Sequence, residues 1–547
     1  MSYGFKKHLL GPLTFILLSF AGTSTLAFDD PAVARARDKA LAADVLPAWE
    51  TGKEILARPH RPVVAPQVDD VELFAPPPAG FRVPAEFEPV TAYIVSQGDW
   101  SGDSMLISLI TQGTQKGGAG AIVLTKQDPT AYTSFLKGQG VDVTKIRVLR
   151  PPNGLDAKWS RDYSPISIYK SADDHDLAFV DLHYYDTRQK DDAVTQFLAE
   201  QFGLDRYGLE GDDQSPPDDA KLYLEGGNFS TDGMGTCIMS NDVPTDNADK
   251  GNPSADTLQE VEAILTPYLG CQKFIWLDPI PNTSTGHVDM YTKLVTPTDI
   301  LVIDFPNQQG NNATADAIVE ADVQILESSK NLAGDPFVVH RIMIPPLGSG
   351  ALGWTYRTYT NSVLLNRIAM VPTYNQPQYD DPALEVYRSV LGSDWTVVGI
   401  PSSSIVAQGG AVHCTTMQIA TACGNGKRDD LLFEDCEGDD LGGATCESLK
   451  LGSGTLACSD ACRFDTSGCE NGDKDAGGDS DTDTDTDTDT DADGDSDGSV
   501  VSDGGGSKDS GANEESSTAG GCGCSVIGGR PSSVALPGLL WDILRNP

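Results

Sequence analysis

Basic residues are scarce in this chain: 38 Lys and Arg face 80 Asp and Glu over 547 residues, a formal net charge of −42. Phosphate recognition needs a basic surface, so nucleic acid is not an expected partner. Long apolar runs are scarce too. The N-terminal one, Leu9 to Ala21, is interrupted by Gly11 and Pro12 and falls short of the roughly 20 residues a membrane-spanning helix requires. No G-x-G-x-x-G follows the first predicted strand, which removes the usual support for a doubly wound dinucleotide fold. Histidine is missing between Cys423 and Cys469, where the only closely spaced pair is CSDAC, so zinc is a poorer reading there than disulfides.

What is present divides the chain into segments. Two lysines, an apolar stretch and small residues ending at Ala27 have the order of a secretory signal peptide, with cleavage expected after Ala27 and no cysteine there to take a lipid. Residues 28–84 are rich in Pro and Ala and read as a lead-in or pro-segment on the surface. Residues 85–421 carry the ordered pattern. Residues 422–470 hold six cysteines (Cys423, Cys436, Cys446, Cys458, Cys462, Cys469) and, in an exported chain, read as a separate disulfide-stapled module with connectivity open. Residues 471–521, centred on DSDTDTDTDTDTDADGDSDG, cannot bury enough apolar surface to fold and read as an extended acidic linker. Two D-x-D-x-D-G matches begin at Asp489 and Asp493, but their twelfth positions are Val500 and Gly504, which disfavours specific calcium binding. Residues 522–547, GCGCSVIGGRPSSVALPGLLWDILRNP with its preceding glycine, form a short Cys-Gly-Cys and apolar tail.

Within residues 85–421, short β-branched runs alternate with amphipathic helical patterns, which predicts an α/β protein. The alternation divides into five similar strand-strand-helix-strand units. TAYIVSQ opens the first; PISIYK, LAFVDLHYY and KLYLEGG belong to the second; GTCIMS and KFIWLDP to the third; YTKLV, DILVIDFP and FVVHRIMIPP to the fourth; NSVLL, RIAMVPTYN and WTVVGIP to the fifth. A repeated unit that cannot bury its own face predicts radial or stacked assembly.

Polar clusters fall at the joints between these units: WSRDYSP, LEGGN, TGHVDM, YTNS and GGAVHCTT. Radial assembly would bring them to one end of a central channel. The residue types suit a planar cation. Carboxylates with paired acceptors hold N–H-rich cations, and Asp162 and Asp289 could form that clamp with Glu225 as a third acid. Clustered acids repel each other unless a cation neutralises them, so they predict a positively charged ligand. A thiolate at Cys414 is the side chain best able to attack a guanidinium carbon, and His287 could protonate departing ammonia and then activate water. Each cluster alone also has a plain structural reading, such as a turn, a satisfied histidine or an exposed loop.

Together, W-x-R-D, E-G-G, G-H-V-D and G-G-x-x-H-C over residues 84–421 resemble the bacterial peptidylarginine deiminase and agmatine deiminase family of the guanidine-modifying pentein superfamily. The resemblance implies a five-bladed pseudo-symmetric α/β propeller, no metal and no cofactor. It makes Cys414 the nucleophile, His287 the acid/base, Asp162 and Asp289 guanidinium ligands, and Glu225 and Asn361 further substrate-site residues. It also points to Arg188 as a binder of a substrate carboxylate, although Asp186 and Thr187 stand beside it and leave that clamp incomplete. The tail resembles myxobacterial surface-protein sorting tags, which implies secretion or cell-surface association. Cys237 and Cys271 could pair within the third unit, leaving Cys414 alone. The expected partner is a guanidinium-bearing small molecule or peptide. Agmatine deimination, amidino transfer, a degenerate surface-binding protein and a cysteine protease are the competing readings; the last gives no reason for three acids.

Overall fold

The computed structural model describes residues 46–58, 76–97, 103–172, 174–208, 222–250, 255–281, 283, 285–306, 311–347 and 355–470. The signal-peptide, acidic-linker and sorting-tag readings lie outside the described residues. Among the described residues, no helix is long and apolar enough to cross a membrane.

Five sheets share one plan. The second is built from β4 (Ile166–Tyr169) antiparallel to β5 (Leu177–Asp181), with β6 (Asp205–Gly208) added parallel after the helix Val194–Phe202. The third repeats it with β7 (Ser230–Thr231), β8 (Thr236–Ser240), the helix Leu258–Leu269 and β9 (Lys273–Leu277). The fourth uses β10 (Thr292–Leu294), β11 (Asp299–Asp304), the helix Asn311–Ser328 and β12 (Val338–Met343). The fifth uses β13 (Val363–Leu365), β14 (Ile368–Thr373), the helix Pro377–Leu391 and β15 (Thr396–Pro401).

The first sheet is made from both ends of the repeat. Its central β1 (Val90–Ser96) and β2 (Gly120–Leu124) run parallel, β3 (Ile146–Leu149) extends the edge, and the last strand, β16 (Thr416–Ala420), pairs antiparallel with β1. Chain closure through β16 ties residue 420 to residue 90, an arrangement the local pattern does not announce. Among the described residues, no ladder hydrogen bonds join the five sheets into a closed barrel.

Every residue of β1 and β2 is buried, because helices and neighbouring sheets leave these strands no solvent face. Tyr93 can sit there because its hydroxyl donates to the carbonyls of Leu109 and Ile110, both 3.1 Å away. The helix Leu258–Leu269 begins with a capping box between Thr257 and Glu260 and ends at Gly270 in the left-handed conformation.

Two sequence expectations are corrected. KLYLEGG does not supply the third strand of the second unit; DRYG does, and the β-pairing of Tyr223 is an isolated bridge to His183. DRYG escaped notice because a four-residue strand with two charges has no β-branched signal. The Cys-rich residues, read as a separate piece, pack on the first sheet: Leu432 joins the main core, Arg147 donates to the Leu431 carbonyl at 2.8 Å, and Arg463 reaches the Gly118 carbonyl at 3.2 Å. Gly120 has no room for a Cβ, which would lie 2.1 Å from the Phe433 ring. Within this module the disulfides are Cys423–Cys462, Cys436–Cys458 and Cys446–Cys469, while Cys237 and Cys271 are joined in the third unit. Cys414 is the free cysteine among the described residues.

Candidate active site

The repeat positions the site. Each of five sheets is entered through a short turn just before one of its outer strands, and the polar clusters occupy those turns. Ser160–Tyr163 precedes β4, Gly226–Asn228 precedes β7, Val288–Met290 precedes β10, residues 359–362 precede β13, and His413–Thr415 precedes β16. The structure brings Asp162, Glu225, His287, Asp289, Asn361 and Cys414 together, and all six are buried.

The centre is measured best from Gly227. A Cβ on this residue would lie 2.5 Å from His287 Nδ1, 2.9 Å from Asp162 Oδ1 and 3.1 Å from Asp289 Oδ2. Three charged groups therefore crowd one point, and only glycine leaves them room. The amide of Gly227 donates to Asp162 Oδ1 at 3.2 Å. His287 faces Glu225 Oε2 through Nε2 at 3.3 Å and Asp162 Oδ1 through Nδ1 at 3.7 Å. Asn361 donates from Nδ2 to Asp289 Oδ2 at 3.0 Å and to Cys414 Sγ at 3.1 Å, and its Oδ1 accepts from the Ala411 amide at 2.9 Å. The sulfur lies 3.6 Å from Asp289 Oδ2. Gly410 admits no side chain either, since a Cβ there would be 2.5 Å from Cys414 Sγ and 3.0 Å from the Trp159 ring.

Charge follows from this packing. Burial opposes a charged imidazole at His287, but Asp162, Glu225 and Asp289 outweigh it and lift its pKa to about 9. Burial raises Asp162 to about 7 despite the neighbouring imidazole. Burial also works against ionised Asp289, yet the hydrogen bond and charge of His413, with His287 and Arg161, hold it below the usual carboxylate range. Burial and the negative charges of Asp289 and Asp162 push the Cys414 thiol well up. With no ligand bound, the sulfur is thus a thiol and the imidazole a cation. Asp162 Oδ2 and Asp289 Oδ1 are buried without hydrogen-bond partners, which leaves two acceptors ready for N–H donors.

Arg188, the remaining residue singled out in the sequence, requires a correction. Its guanidinium is wholly buried and its five N–H donors are committed: to Glu54 Oε1 at 2.8 Å and Oε2 at 3.2 Å, Pro47 O at 3.0 Å, Trp49 O at 2.6 Å and Tyr184 Oη at 3.1 Å. In this conformation it offers a substrate nothing, because the N-terminal segment has taken four of its donors and Tyr184 the fifth.

Sequence reasoning passed over a second tier of charge. His413 Nδ1 lies 2.7 Å from Asp289 Oδ2 and its Nε2 lies 2.7 Å from Glu86 Oε2. Lys293 bonds Glu86 and also the Ser362 carbonyl, the latter at 2.7 Å. Arg161 donates to Gln418 Oε1 at 2.6 Å. The only hint in the sequence is that His413 directly precedes Cys414 and Glu86 sits in VPAEFEP. A pocket of about 90 Å³ is lined by Glu86, Arg161, Asp289, Lys293 and His413, whereas Cys414 and His287 do not border it.

Comparison with known proteins places these features. A family model described as Porphyromonas-type peptidyl-arginine deiminase matches residues 121–420. A candidate agmatine deiminase of Shewanella frigidimarina is 29% identical over 254 residues, which are 43% of this chain and 64% of that protein. One from Legionella pneumophila is 27% identical over 201 residues, 36% of this chain and 56% of that protein. The chain therefore spans less than two thirds of the length of these relatives. Among solved structures, the agmatine deiminase of Enterococcus faecalis aligns with a TM-score of 0.50 at 23% identity, covering 63% of this chain and 96% of that one. A candidate arginine deiminase from Porphyromonas gingivalis aligns with a TM-score of 0.52 at 18% identity, covering 62% and 99%. At such identities the structural likeness speaks for the fold, which is of the pentein α/β type.

Proposed function

Because the chain belongs to the Porphyromonas-type peptidyl-arginine deiminase family, we propose that it hydrolyses the guanidino group of arginine residues or arginine-like substrates to a ureido product and ammonia. The five sheets of common plan support a five-bladed propeller with the site at one end of its axis. The observation that carries the reading is the juxtaposition of Cys414, the free thiol among the described residues, with two carboxylates that each keep an unpartnered oxygen.

A guanidinium seated between Asp162 Oδ2 and Asp289 Oδ1 offsets part of the negative charge that, together with burial, keeps the thiol protonated. Cys414 then releases its proton to solvent, where the ammonia formed later takes it up, and its thiolate attacks the central carbon, forming a tetrahedral adduct. His287, already cationic, gives its proton to the departing nitrogen, and ammonia leaves behind a covalent thiouronium. The now neutral imidazole takes a proton from water as the oxygen attacks the same carbon. As the C–S bond breaks, the adduct's hydroxyl proton passes to the departing Cys414 sulfur, which restores the thiol and releases the ureido product. Asn361 steadies both the sulfur and Asp289 throughout.

Glu225 favours a second reading. It matches an acid of agmatine and free-arginine deiminases, and its tie to His287 fixes the imidazole from the side opposite Asp162. Agmatine as substrate is therefore kept beside peptidyl arginine. Four disulfides among the described residues support an oxidising compartment and, with the N-terminal pattern, export.

The test offers purified protein agmatine, free arginine, and peptides with internal or C-terminal arginine. At least one should give ureido product and ammonia in equal amounts. Absence of product from all four, or transfer of the amidino group to an added amine, would refute the reading.

A further inference from the structure

We propose, resting on the deiminase reading, that His413 is a positioning residue: clamped as an imidazolium between Asp289 and Glu86, it fixes the orientation and charge of Asp289 and supplies the positive charge beside Cys414 that a thiolate needs. Both ring nitrogens face carboxylate oxygens at 2.7 Å. A carboxylate accepts and does not donate, so a ring satisfied on both sides carries both protons. Burial opposes ionised Glu86, but Lys293, His413 and Arg161 together hold its carboxyl well below the ordinary range, and Asp289 is depressed as well, so neither acid brings the proton.

The clamp is anchored from three directions. Glu86 Oε1 accepts from Lys293 and from the Leu364 amide, the latter at 3.0 Å. Arg161 reaches the His413 carbonyl through Nε at 3.4 Å, and the His413 amide donates to the Asn361 carbonyl at 3.0 Å. The charged and titratable groups around the imidazole are thus Asp289, Glu86, Lys293, Arg161 and the adjacent Cys414. With His413 and Asn361 both on Oδ2, Asp289 can turn only Oδ1 toward a ligand. The sulfur sits 3.6 Å from that same Oδ2, so a thiolate without His413 would face a carboxylate that has lost its strongest compensating partner and keeps only the charges of His287 and Arg161.

Three full-length variants test this. His413→Asn keeps a neutral donor toward Asp289 and should lose about 100-fold in kcat with little change in KM, as expected for misplaced reacting groups. The acid limb of its kcat/KM profile should move to higher pH. His413→Phe, with no donor, should fall below it. Glu86→Gln, which leaves the imidazole in place, should shift the limb in the same direction by less, and it keeps the question answerable if the His413 variants do not fold. An acid limb unmoved in every folded variant, or His413→Phe as active as His413→Asn, would overturn the proposal while wild-type turnover leaves the deiminase reading standing. Absence of ureido product from the wild type would remove both.

A separate observation carries a second inference: residues 46–58 form a strap that closes the site in the resting protein. The Leu46 carbonyl accepts from Trp159 Nε1 at 2.9 Å, and Trp159 packs beside Gly410 and Cys414. Ala48 pairs with the Gln408 carbonyl at 2.9 Å and accepts from Tyr185 Oη at 3.3 Å. The segment therefore spans from the last joint to the second unit. A capping box between Thr51 and Glu54 starts the short helix Gly52–Ala57 and aims Glu54 at Arg188. Glu50 adds bonds to Thr187 at 2.8 Å and to Arg58. Cys414 is 2% and His287 1% exposed, and the strap, held on Trp159 and Gln408 beside the last joint, is the element proposed to move when a guanidinium enters.

Glu54→Gln leaves the buried Arg188 without a carboxylate partner in the closed form but lets it hydrate in the open one, so opening is favoured. In full-length protein, alkylation of Cys414 by iodoacetamide and kcat/KM on the best substrate should both rise several-fold. Glu50→Gln should act in the same direction and serves as the second variant. Unchanged or slower alkylation in both would overturn the strap.

Discussion

The imidazole of His287 is wedged between two carboxylates, with Glu225 3.3 Å from Nε2 and Asp162 3.7 Å from Nδ1. The pair holds the folded-state pKa near 9, above the 6.5 of a free side chain. A group whose folded pKa is raised contributes stability that is complete below its unfolded pKa and disappears as pH climbs through the folded value. His287 should therefore add about 3 kcal/mol at pH 6, lost between pH 6.5 and 9. Asp162, raised to about 7 by burial, works in the same direction between pH 4 and 7. Urea unfolding at pH 6 and pH 9 should show a fall in stability for the wild type and a flatter profile for His287→Asn over that interval. An equal fall in both would contradict the assignment.

Gly227→Ala should leave the fold intact and abolish most activity. The new methyl group would sit 2.5 Å from His287 Nδ1 and 2.9 Å from Asp162 Oδ1, so the imidazole and the carboxylate must separate. A displacement of this kind costs about 100-fold in kcat/KM. Steady-state kinetics beside a thermal melt would check it; activity near wild type would show that the hollow tolerates a wider centre.

Asn361→Asp places a carboxylate 3.1 Å from the sulfur in place of a donor, a fourth acid beside Asp162, Glu225 and Asp289. The thiol should become harder to ionise, so the pH optimum should rise and kcat should fall by about 100-fold at neutral pH. A pH profile superimposable on the wild type would sever Asn361 from the chemistry.

The Cys237–Cys271 disulfide closes a loop with a sequence separation of 34 between two fully buried positions. Replacing both cysteines by alanine should cost about 3 to 4 kcal/mol through restored freedom of the unfolded chain. Denaturant unfolding measures the loss, and turnover by the fraction that remains folded should be retained, because the bridge ties β8 to the residues before β9 and includes no side chain of the site.

The α/β class and the five joints were legible because each joint combines a glycine-bearing turn or a short polar motif with a following β-branched strand. TGHVDM before YTKLV and GGAVHCTT before MQIA announce both the turn and its chemistry. What remained hidden depends on pairing across the whole chain. Glu86 meets His413 across 327 positions, and β16 joins β1, and neither link leaves a local pattern. The strap was missed for a different reason: Thr51-x-x-Glu54 is a capping-box spelling, but it lies in a Pro- and Ala-rich stretch without periodicity. Arg188 was recognised by type and position, yet its side chain is claimed by Glu54, a partner 134 residues away.

The central claim is that a lone thiol performs the attack. Purified wild type and Cys414→Ala should be compared for ureido product on the best substrate, after confirming equal melting temperatures. The account predicts product from the wild type and none above the buffer rate from the variant. Turnover by a folded Cys414→Ala protein at a rate comparable to wild type would contradict it.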